Sequence, residues 1–235
     1  MYIPGMYYYL DPTYILVIVG AVICMIASAN VSHTFKKYSA TSNSRRLTGE
    51  QAAQQILMEA GIHDVSIERI SGDLTDHYDP KNKVLRLSDS VYGSTSVAAI
   101  GVAAHECGHA IQHQVGYVPI QVRNTIVPIV NIGSKLSWPI IMLGIILSMN
   151  SFLINIGIIL FSFALIFQIV TLPVEFNASS RALEILDSRG FLAGNEMKGA
   201  RKVLRAAAMT YVTAAVSTLL QLLRLVLLFG RRSND

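Results

Sequence analysis

The chain has 235 residues, of which 52% are hydrophobic and only 14% are charged, and its formal net charge is +4. A soluble domain usually carries about 25% charged residues, so this composition excludes an ordinary soluble enzyme and indicates segments buried in a bilayer. The basic residues flank apolar runs and form no patch interleaved with aromatic residues, so nucleic acid is not an expected partner.

The first apolar run, residues 13–29, predicts a transmembrane helix within an N-terminal segment of residues 1–30. A signal peptide begins with basic residues, whereas the start of this chain has none. It is instead rich in tyrosines that suit an aromatic belt at the membrane surface, namely Tyr2, Tyr7, Tyr8, Tyr9 and Tyr14. The residues after the run are basic, namely Lys36, Lys37, Arg45 and Arg46. The positive-inside rule therefore places the N-terminus outside and the next segment in the cytoplasm.

That next segment, residues 31–125, is predicted to form a small cytoplasmic α+β unit. Thr48 and Gln51 fit a capping box that begins a helix over residues 48–60, and Gly61 ends this helix. Strand patterns follow at residues 65–70, 74–78 and 83–87, the last two on either side of a turn at 79–82. One strand of this hairpin can offer its edge to an extended substrate.

A predicted helix over residues 96–115, rich in small apolar side chains, carries the motif His105-Glu106-Cys107-Gly108-His109. Two histidines at i and i+4 share one helix face and can bind one Zn²⁺ at about 2.1 Å. The glutamate after the first histidine can act as general base toward a metal-bound water. Cys107, at i+2 from His105, points to another face and is expected to be a small buried side chain.

Two further apolar runs, residues 126–149 and 152–172, are joined by the polar turn Asn150-Ser151 and predict a transmembrane hairpin over residues 126–172. The alternative for each run is a buried core helix. That alternative is stronger for the first of the two, because Lys135 interrupts it.

A last apolar run, residues 206–229, predicts a crossing helix within a C-terminal segment of residues 206–235. Gln221 and Arg224 interrupt it, so the alternative is a helix that packs against protein or lies at the interface. If the run crosses, the C-terminus is outside, together with Arg231 and Arg232.

A catalytic zinc usually has three protein ligands, and the third is predicted to be Glu175. His113 lies two i+4 steps beyond His105, about 12 Å by helical rise, which is too far to share one ion. Glu175 follows the hairpin, which returns the chain to the side on which it left, within a predicted cytoplasmic helical region of residues 173–205. The alternative is that Glu175 pairs with Arg181. Weaker competitors for the metal are Asp76, Asp79, Glu184 and Asp187.

Other polar residues are candidates for the surroundings of the metal. His113 is expected beside the metal or against the substrate, the alternative being an ordinary surface histidine. His77 and Tyr78, on the strand before the helix, either line the cleft or occupy ordinary hairpin positions. His113, Tyr78 and Arg181 are candidates for stabilising the developing oxyanion.

The sequence around these residues is distinctive. It reads DHYDP at 76–80, VLRLS at 84–88, SVAAIGVAAHECGHAIQH at 96–113, PVEFNASSRAL at 173–183 and VLRAAAMTYV at 203–212. Together these stretches resemble the YugP-type neutral zinc metallopeptidase family of bacterial membranes. The resemblance spans nearly the whole chain and implies a multi-pass protein of the bacterial cell membrane.

A more distant resemblance is to the HtpX-type and CAAX prenyl endopeptidases, which also have a zinc helix, a membrane hairpin and then a glutamate. Those proteins carry Glu-x-x-x-Asp after the hairpin. Glu175 matches the glutamate, and Ser179 stands where the aspartate would be. The resemblance implies that Ser179 orients a ligand histidine through a weaker hydrogen bond than a carboxylate would form.

The sequence thus predicts a mainly α integral membrane protein with about four transmembrane helices and a small zincin-like cytoplasmic α+β domain. Its expected function is that of a zinc metalloendopeptidase, a hydrolase in which His105, His109 and Glu175 hold Zn²⁺ and Glu106 assists attack of zinc-bound water. The expected partners are the lipid bilayer and a peptide or membrane-protein substrate. The substrate's identity and the oligomeric state stay open.

Two other functions fit the same pattern. One is a zinc-dependent amidase that acts on a lipid-linked or small substrate with the same residues. The other is a non-catalytic membrane scaffold with a structural zinc, which needs a fourth protein ligand, and the sequence offers no obvious one.

Overall fold

The computed structural model describes residues 11–230, and this part of the chain is mainly helical with one small sheet. In chain order the elements are α1 (Tyr14–Ser39), α2 (Gly49–Glu59), β1 (Ser66–Ile70), β2 (His77–Asp79), β3 (Val84–Ser88), α3 (Asp89–Tyr92), α4 (Val97–Gln114), α5 (Val118–Ile146), α6 (Ser151–Ser188) and α7 (Asn195–Phe229). Helices α1, α5, α6 and α7 are each long and apolar enough to cross a membrane, which confirms the expected four candidate spans. The predictions for Tyr2, Tyr7, Tyr8, Tyr9, Arg231 and Arg232 lie outside the described residues.

Local signals in the sequence set the start of α2. The Thr48 hydroxyl accepts from the Gln51 N–H at 3.2 Å, and the Gln51 side chain accepts from the Thr48 N–H at 3.0 Å. This is the predicted capping box, which satisfies two of the backbone donors that a helix start leaves unpaired.

The three strands form one sheet in the order β1-β3-β2. β1 runs parallel to the central β3, whereas β2 is an antiparallel edge strand. The hairpin strand predicted at residues 74–78 is shorter and lies later in the chain, at His77–Asp79. Leu74 has a φ of 55°, which is outside the extended region, so pairing begins only after it.

The chain divides into two compact units, and the unit formed by Ala27–Arg123 and Val170–Thr210 contains the sheet and α4. Its core is built on small residues: Ala98, Ala99, Ala103 and Ala104 of α4 are fully buried. Small side chains let neighbouring backbones approach closely. Leu85 of β3 is also fully buried, which contributes about 1.5–3 kcal/mol for a side chain of this size.

The other unit comprises the described parts of Met1–Ile26, Asn124–Ile169 and Tyr211–Asp235. Here α1 and α7 lie antiparallel. The Cys24 thiol donates to the Thr213 carbonyl at 3.5 Å, and a Cβ added at Gly20 would lie 2.7 Å from the Ser217 hydroxyl oxygen. Residues later in α1 thus contact residues earlier in α7. The start of α1 and the end of α7 therefore lie at one end of this unit.

The charge of Arg224 within the last apolar run is compensated in the same unit. Its guanidinium lies 3.6 Å from the Asp11 carboxylate and 4.1 Å from the centroid of the Tyr14 ring. Ionisable residues within apolar helices are costly unless they are paired, and these two partners explain how α7 accommodates an arginine.

The connection between α5 and α6 covers residues 147–150, so it begins before the predicted turn Asn150-Ser151, and Ser151 is already the first residue of α6. Asn150 donates its N–H to the Gly144 carbonyl at 2.8 Å, and its side chain accepts from the Leu153 N–H at 3.1 Å, which caps α6. The sequence left open whether a new helix begins near Pro173. The structure has a single helix, α6, that continues through this proline.

Candidate metal centre

His105 and His109 lie one turn apart on an unbroken helix. Ser96 begins α4, because its hydroxyl accepts from the Ala99 N–H at 3.1 Å. The two imidazole rings lie with centroids 4.8 Å apart in an edge-to-face arrangement. Both rings therefore face one point beside the helix, as the i, i+4 spacing predicts.

Glu175 of α6 reaches the same point. Its Oε2 lies 3.3 Å from His105 Nε2 and 3.6 Å from His109 Nε2, and its side chain is only 5% exposed. Two ligands bound at about 2.1 Å to one tetrahedral ion lie about 3.4 Å apart. The three side chains that the sequence predicts as ligands are thus brought together. Within residues 11–230 they form the one group of histidine, cysteine and acidic side chains whose spacing could hold a metal ion.

The donor atoms fit a zinc ion. Glu175 Oε2 is buried and accepts no hydrogen bond, which is costly for a carboxylate oxygen. A cation between this oxygen and the two Nε2 atoms would satisfy it. Two imidazoles and a carboxylate are a usual ligand set for a zinc that keeps an open position.

Each of the two histidines is held at its other ring nitrogen. The Ser179 hydroxyl lies 3.1 Å from His105 Nδ1, as the resemblance implies. The Gln112 side-chain oxygen lies 3.0 Å from His109 Nδ1. Such partners orient the rings so that each Nε2 faces Glu175, and the Gln112 oxygen, which can only accept, also fixes the tautomer of His109. The sequence reasoning missed Gln112, because a glutamine within a helix has no pattern that identifies its partner.

The predicted alternative for Glu175, a pair with Arg181, is not formed. The Arg181 Nε donates instead to the Asn177 side-chain oxygen at 2.8 Å. Glu175 Oε1 accepts from a guanidinium nitrogen of Arg123 at 3.2 Å. Arg123 was also missed; the signal that could have indicated it is a basic residue just before the apolar run of the hairpin.

Glu106, the predicted general base, is buried beside Asp76. Burial raises the pKa of Asp76, and the negative charge of Glu106 raises it further. Two hydrogen bonds from Ser88 lower this pKa, but they do not cancel the rise. Those bonds, 2.7 Å from the Ser88 N–H and 2.9 Å from its hydroxyl, fasten the Asp76 loop to β3. Asp76 therefore ties this loop to the sheet.

The remaining competitors for the metal also lie outside the group. Hydrogen bonds from Asn82 lower the pKa of Asp79 to about 2, and this carboxylate organises the turn of the hairpin. Glu184 and Asp187 are not part of the metal-ligand cluster. Cys107 is fully buried, and burial raises the pKa of its thiol, so it remains the small uncharged side chain that was predicted.

Tyr78 and His113 form a pair. The Tyr78 hydroxyl lies 3.0 Å from His113 Nδ1, and the two rings are tilted with centroids 5.9 Å apart. Burial and the charges of Asp64 and Asp79 raise the pKa of Tyr78, so its hydroxyl stays protonated. His77, in contrast, bonds at its two nitrogens to the Thr75 carbonyl and to Arg86, at 2.9 and 3.3 Å.

Gly108 sets the approach of α4 to α6. A Cβ at this position would lie 2.7 Å from the Ala178 carbonyl oxygen, a main-chain atom that cannot swing aside. We expect Gly108→Ala to destabilise the protein by about 1–3 kcal/mol, the usual cost of overpacking. Thermal unfolding of the detergent-solubilised protein measures this.

The matched control is Gly93→Ala, because a Cβ at Gly93 meets no atom within 4 Å. Gly93 has a φ of −93°, which an alanine adopts without strain. Equal melting temperatures for the two variants would refute the close approach at Gly108.

Comparison with known proteins adds two findings. A family model described as "Putative neutral zinc metallopeptidase" matches residues 13–230. A Bacillus subtilis (strain 168) protein described as "Putative membrane protease YugP" is 50% identical over 210 residues, which cover 88% of this chain and 93% of the relative. No solved structure shows a significant match to the chain.

Proposed function

Because the chain belongs to this neutral zinc metallopeptidase family, we propose that it is a membrane-embedded zinc-dependent metalloendopeptidase. The observation that carries the proposal is the convergence of His105, His109 and Glu175 on one point. The buried Glu106 follows His105 directly on α4. The family's name implies the zinc, and the donor set fits it.

Several residues of the protein have distinct roles in the proposed hydrolysis. When bound, zinc polarises the scissile carbonyl and brings the pKa of a bound water to about 7. Glu106 takes a proton from the attacking water and delivers it to the leaving amine, which contributes about 10²–10⁴-fold. Ser179 orients the His105 ring, Gln112 keeps His109 in the tautomer that presents Nε2, and Arg123 holds the second oxygen of Glu175.

The substrate is proposed to lie along β2. This strand is at the edge of the sheet, so an extended peptide can add to it through main-chain hydrogen bonds. Tyr78 lies in β2, and its protonated hydroxyl, paired with His113, can donate to the developing oxyanion. Arg181 is a weaker candidate for that role, because Asn177 already engages it.

Degradation of a peptide library by the purified, zinc-loaded protein tests this function. We expect internal cleavage products that disappear with a chelator and return with Zn²⁺. Cleavage of lipid-linked or small amides without any cleavage of peptides would favour the amidase instead. Stoichiometric zinc without hydrolysis of either class would favour the scaffold.

The metal centre is proposed to face the cytoplasm. The basic residues that follow the first apolar run favour this side by the positive-inside rule, as does the basic stretch at the start of α7, Lys198, Arg201 and Lys202. The antiparallel contact of α1 with α7 supports a crossing by the fourth span, with the C-terminus outside.

Cysteine labelling in intact cells tests this sidedness. Cysteine introduced at Asn82, an exposed position in the β2–β3 turn, is expected to resist a membrane-impermeant thiol reagent. Cysteine introduced at Asn234 is expected to react. The unmodified chain is the control for its own two cysteines, Cys24 and Cys107. Labelling at position 82 would overturn the proposed side, whereas protection at position 234 would overturn only the fourth crossing.

A further inference from the structure

Gln112 links the two helices that supply the metal ligands. It is fully buried on α4, one turn beyond His109. Its side-chain nitrogen donates to the Val174 carbonyl at 2.8 Å and to the Asn177 side-chain oxygen at 3.0 Å, both on α6. These two residues lie on either side of Glu175 in the sequence, so the amide holds the segment that presents the third ligand.

The same contacts fix the orientation of the Gln112 amide. Its NH₂ group has two hydrogens, and the two acceptors on α6 use both. The side-chain oxygen is left facing His109 Nδ1, and an oxygen can only accept. His109 must therefore carry its proton on Nδ1, and its Nε2 lone pair points toward Glu175.

We propose that Gln112 is a positioning residue that sets the tautomer of His109 and fixes the distance from His109 to Glu175. This inference rests on the proposed zinc-dependent function. Gln112 acts on the metal through two ligands, one on each helix, and loss of its side chain releases both.

Asn177 and Arg181 complete the hydrogen-bond network around Gln112. The Asn177 oxygen accepts from Gln112 and also from Arg181 Nε, one helical turn further along α6. The bond from the guanidinium is charge-assisted and holds the Asn177 oxygen in place for Gln112. Asn177 is needed here as an acceptor, so an aspartate can replace it and a leucine cannot.

Zinc affinity, measured by competition with a chromogenic chelator, tests the inference. Gln112→Met keeps the side-chain volume and removes all three hydrogen bonds; we expect about a 10–100-fold weaker affinity, as for other partners of ligand histidines. Asn177→Leu should weaken binding by a smaller factor, and Asn177→Asp should restore it. The Co²⁺-substituted protein should show an altered tetrahedral absorption spectrum in Gln112→Met and a normal one in Asn177→Asp.

The controls separate the two proposals. Gln114→Met changes an exposed glutamine at the end of the same helix and should leave affinity and spectrum unchanged. If the original protein binds no zinc, or binds it as tightly after His105→Ala, the proposed function fails. If the original protein binds zinc through His105 and Gln112→Met binds it equally well, only the role of Gln112 fails. If Gln112→Met does not fold, equal affinities for Asn177→Leu and Asn177→Asp refute the role.

Discussion

Glu106→Gln is expected to bind zinc near-stoichiometrically and to lose peptide hydrolysis by at least about 10²-fold, the usual scale for a general base. Glu106 is buried on α4 next to His105 in the sequence and is not one of the three converging side chains. Glutamine keeps its size and polarity but cannot take a proton from water. Metal content and hydrolysis are measured on the same preparation.

Glu59→Gln is a matched control, because Glu59 pairs with Arg189 on an exposed surface. It should change neither quantity, since surface ion pairs contribute little. Normal hydrolysis by metal-loaded Glu106→Gln would show that another group is the base. The inactive variant is also a substrate trap: proteins that it retains in membranes are candidates for the physiological substrate.

Glu175→Ala is expected to lose zinc as completely as His105→Ala does. Removing Glu175 leaves two imidazoles, and the charge that balances the metal in a buried site is lost. Because loss of a mere partner of a ligand already costs about 10–100-fold, loss of the ligand itself should exceed about 10²-fold in affinity. Metal analysis after dialysis against a weak chelator measures this.

Glu184→Ala is the control for Glu175→Ala, since Glu184 is an exposed carboxylate on the same helix. It should retain the metal. If Glu175→Ala instead keeps a full complement of zinc, the third ligand must be sought at Asp76 or Asp187, although the structure places neither in the cluster.

The sequence predicted those features that depend on signals close together in the chain. The capping box of α2 needs two residues three apart, and the facing histidines need one unbroken helix. The position of Glu175 could also be anticipated, because a hairpin of two apolar runs returns the chain to its starting side. The structure brings Glu175 to the histidines, and its role as a ligand stays a prediction.

Features that depend on contacts between distant segments could not be predicted. Gln112, Asn177 and Arg123 are ordinary polar residues in helices, and only the packing of α4 and α5 against α6 gives each its partner. The short helix α3 was missed for another reason, since its four residues are too few for a periodic pattern. The late start of β2 follows from the left-handed backbone of Leu74.

The main-chain contact at Gly108 has a consequence for the choice of ion. The gap between α4 and α6 is set there by backbone atoms, so the candidate ligands on the two helices are held at a fixed spacing. The oxygen and the two nitrogens, 3.3 and 3.6 Å apart, suit an ion bound at about 2.1 Å by all three side chains. Calcium takes about 6–8 ligands that are all oxygens, whereas two of these three donors are imidazole nitrogens, so the donor set disfavours calcium. A residue without a side chain thus keeps together, across two helices, the mixed donor set that favours zinc over an abundant competing cation.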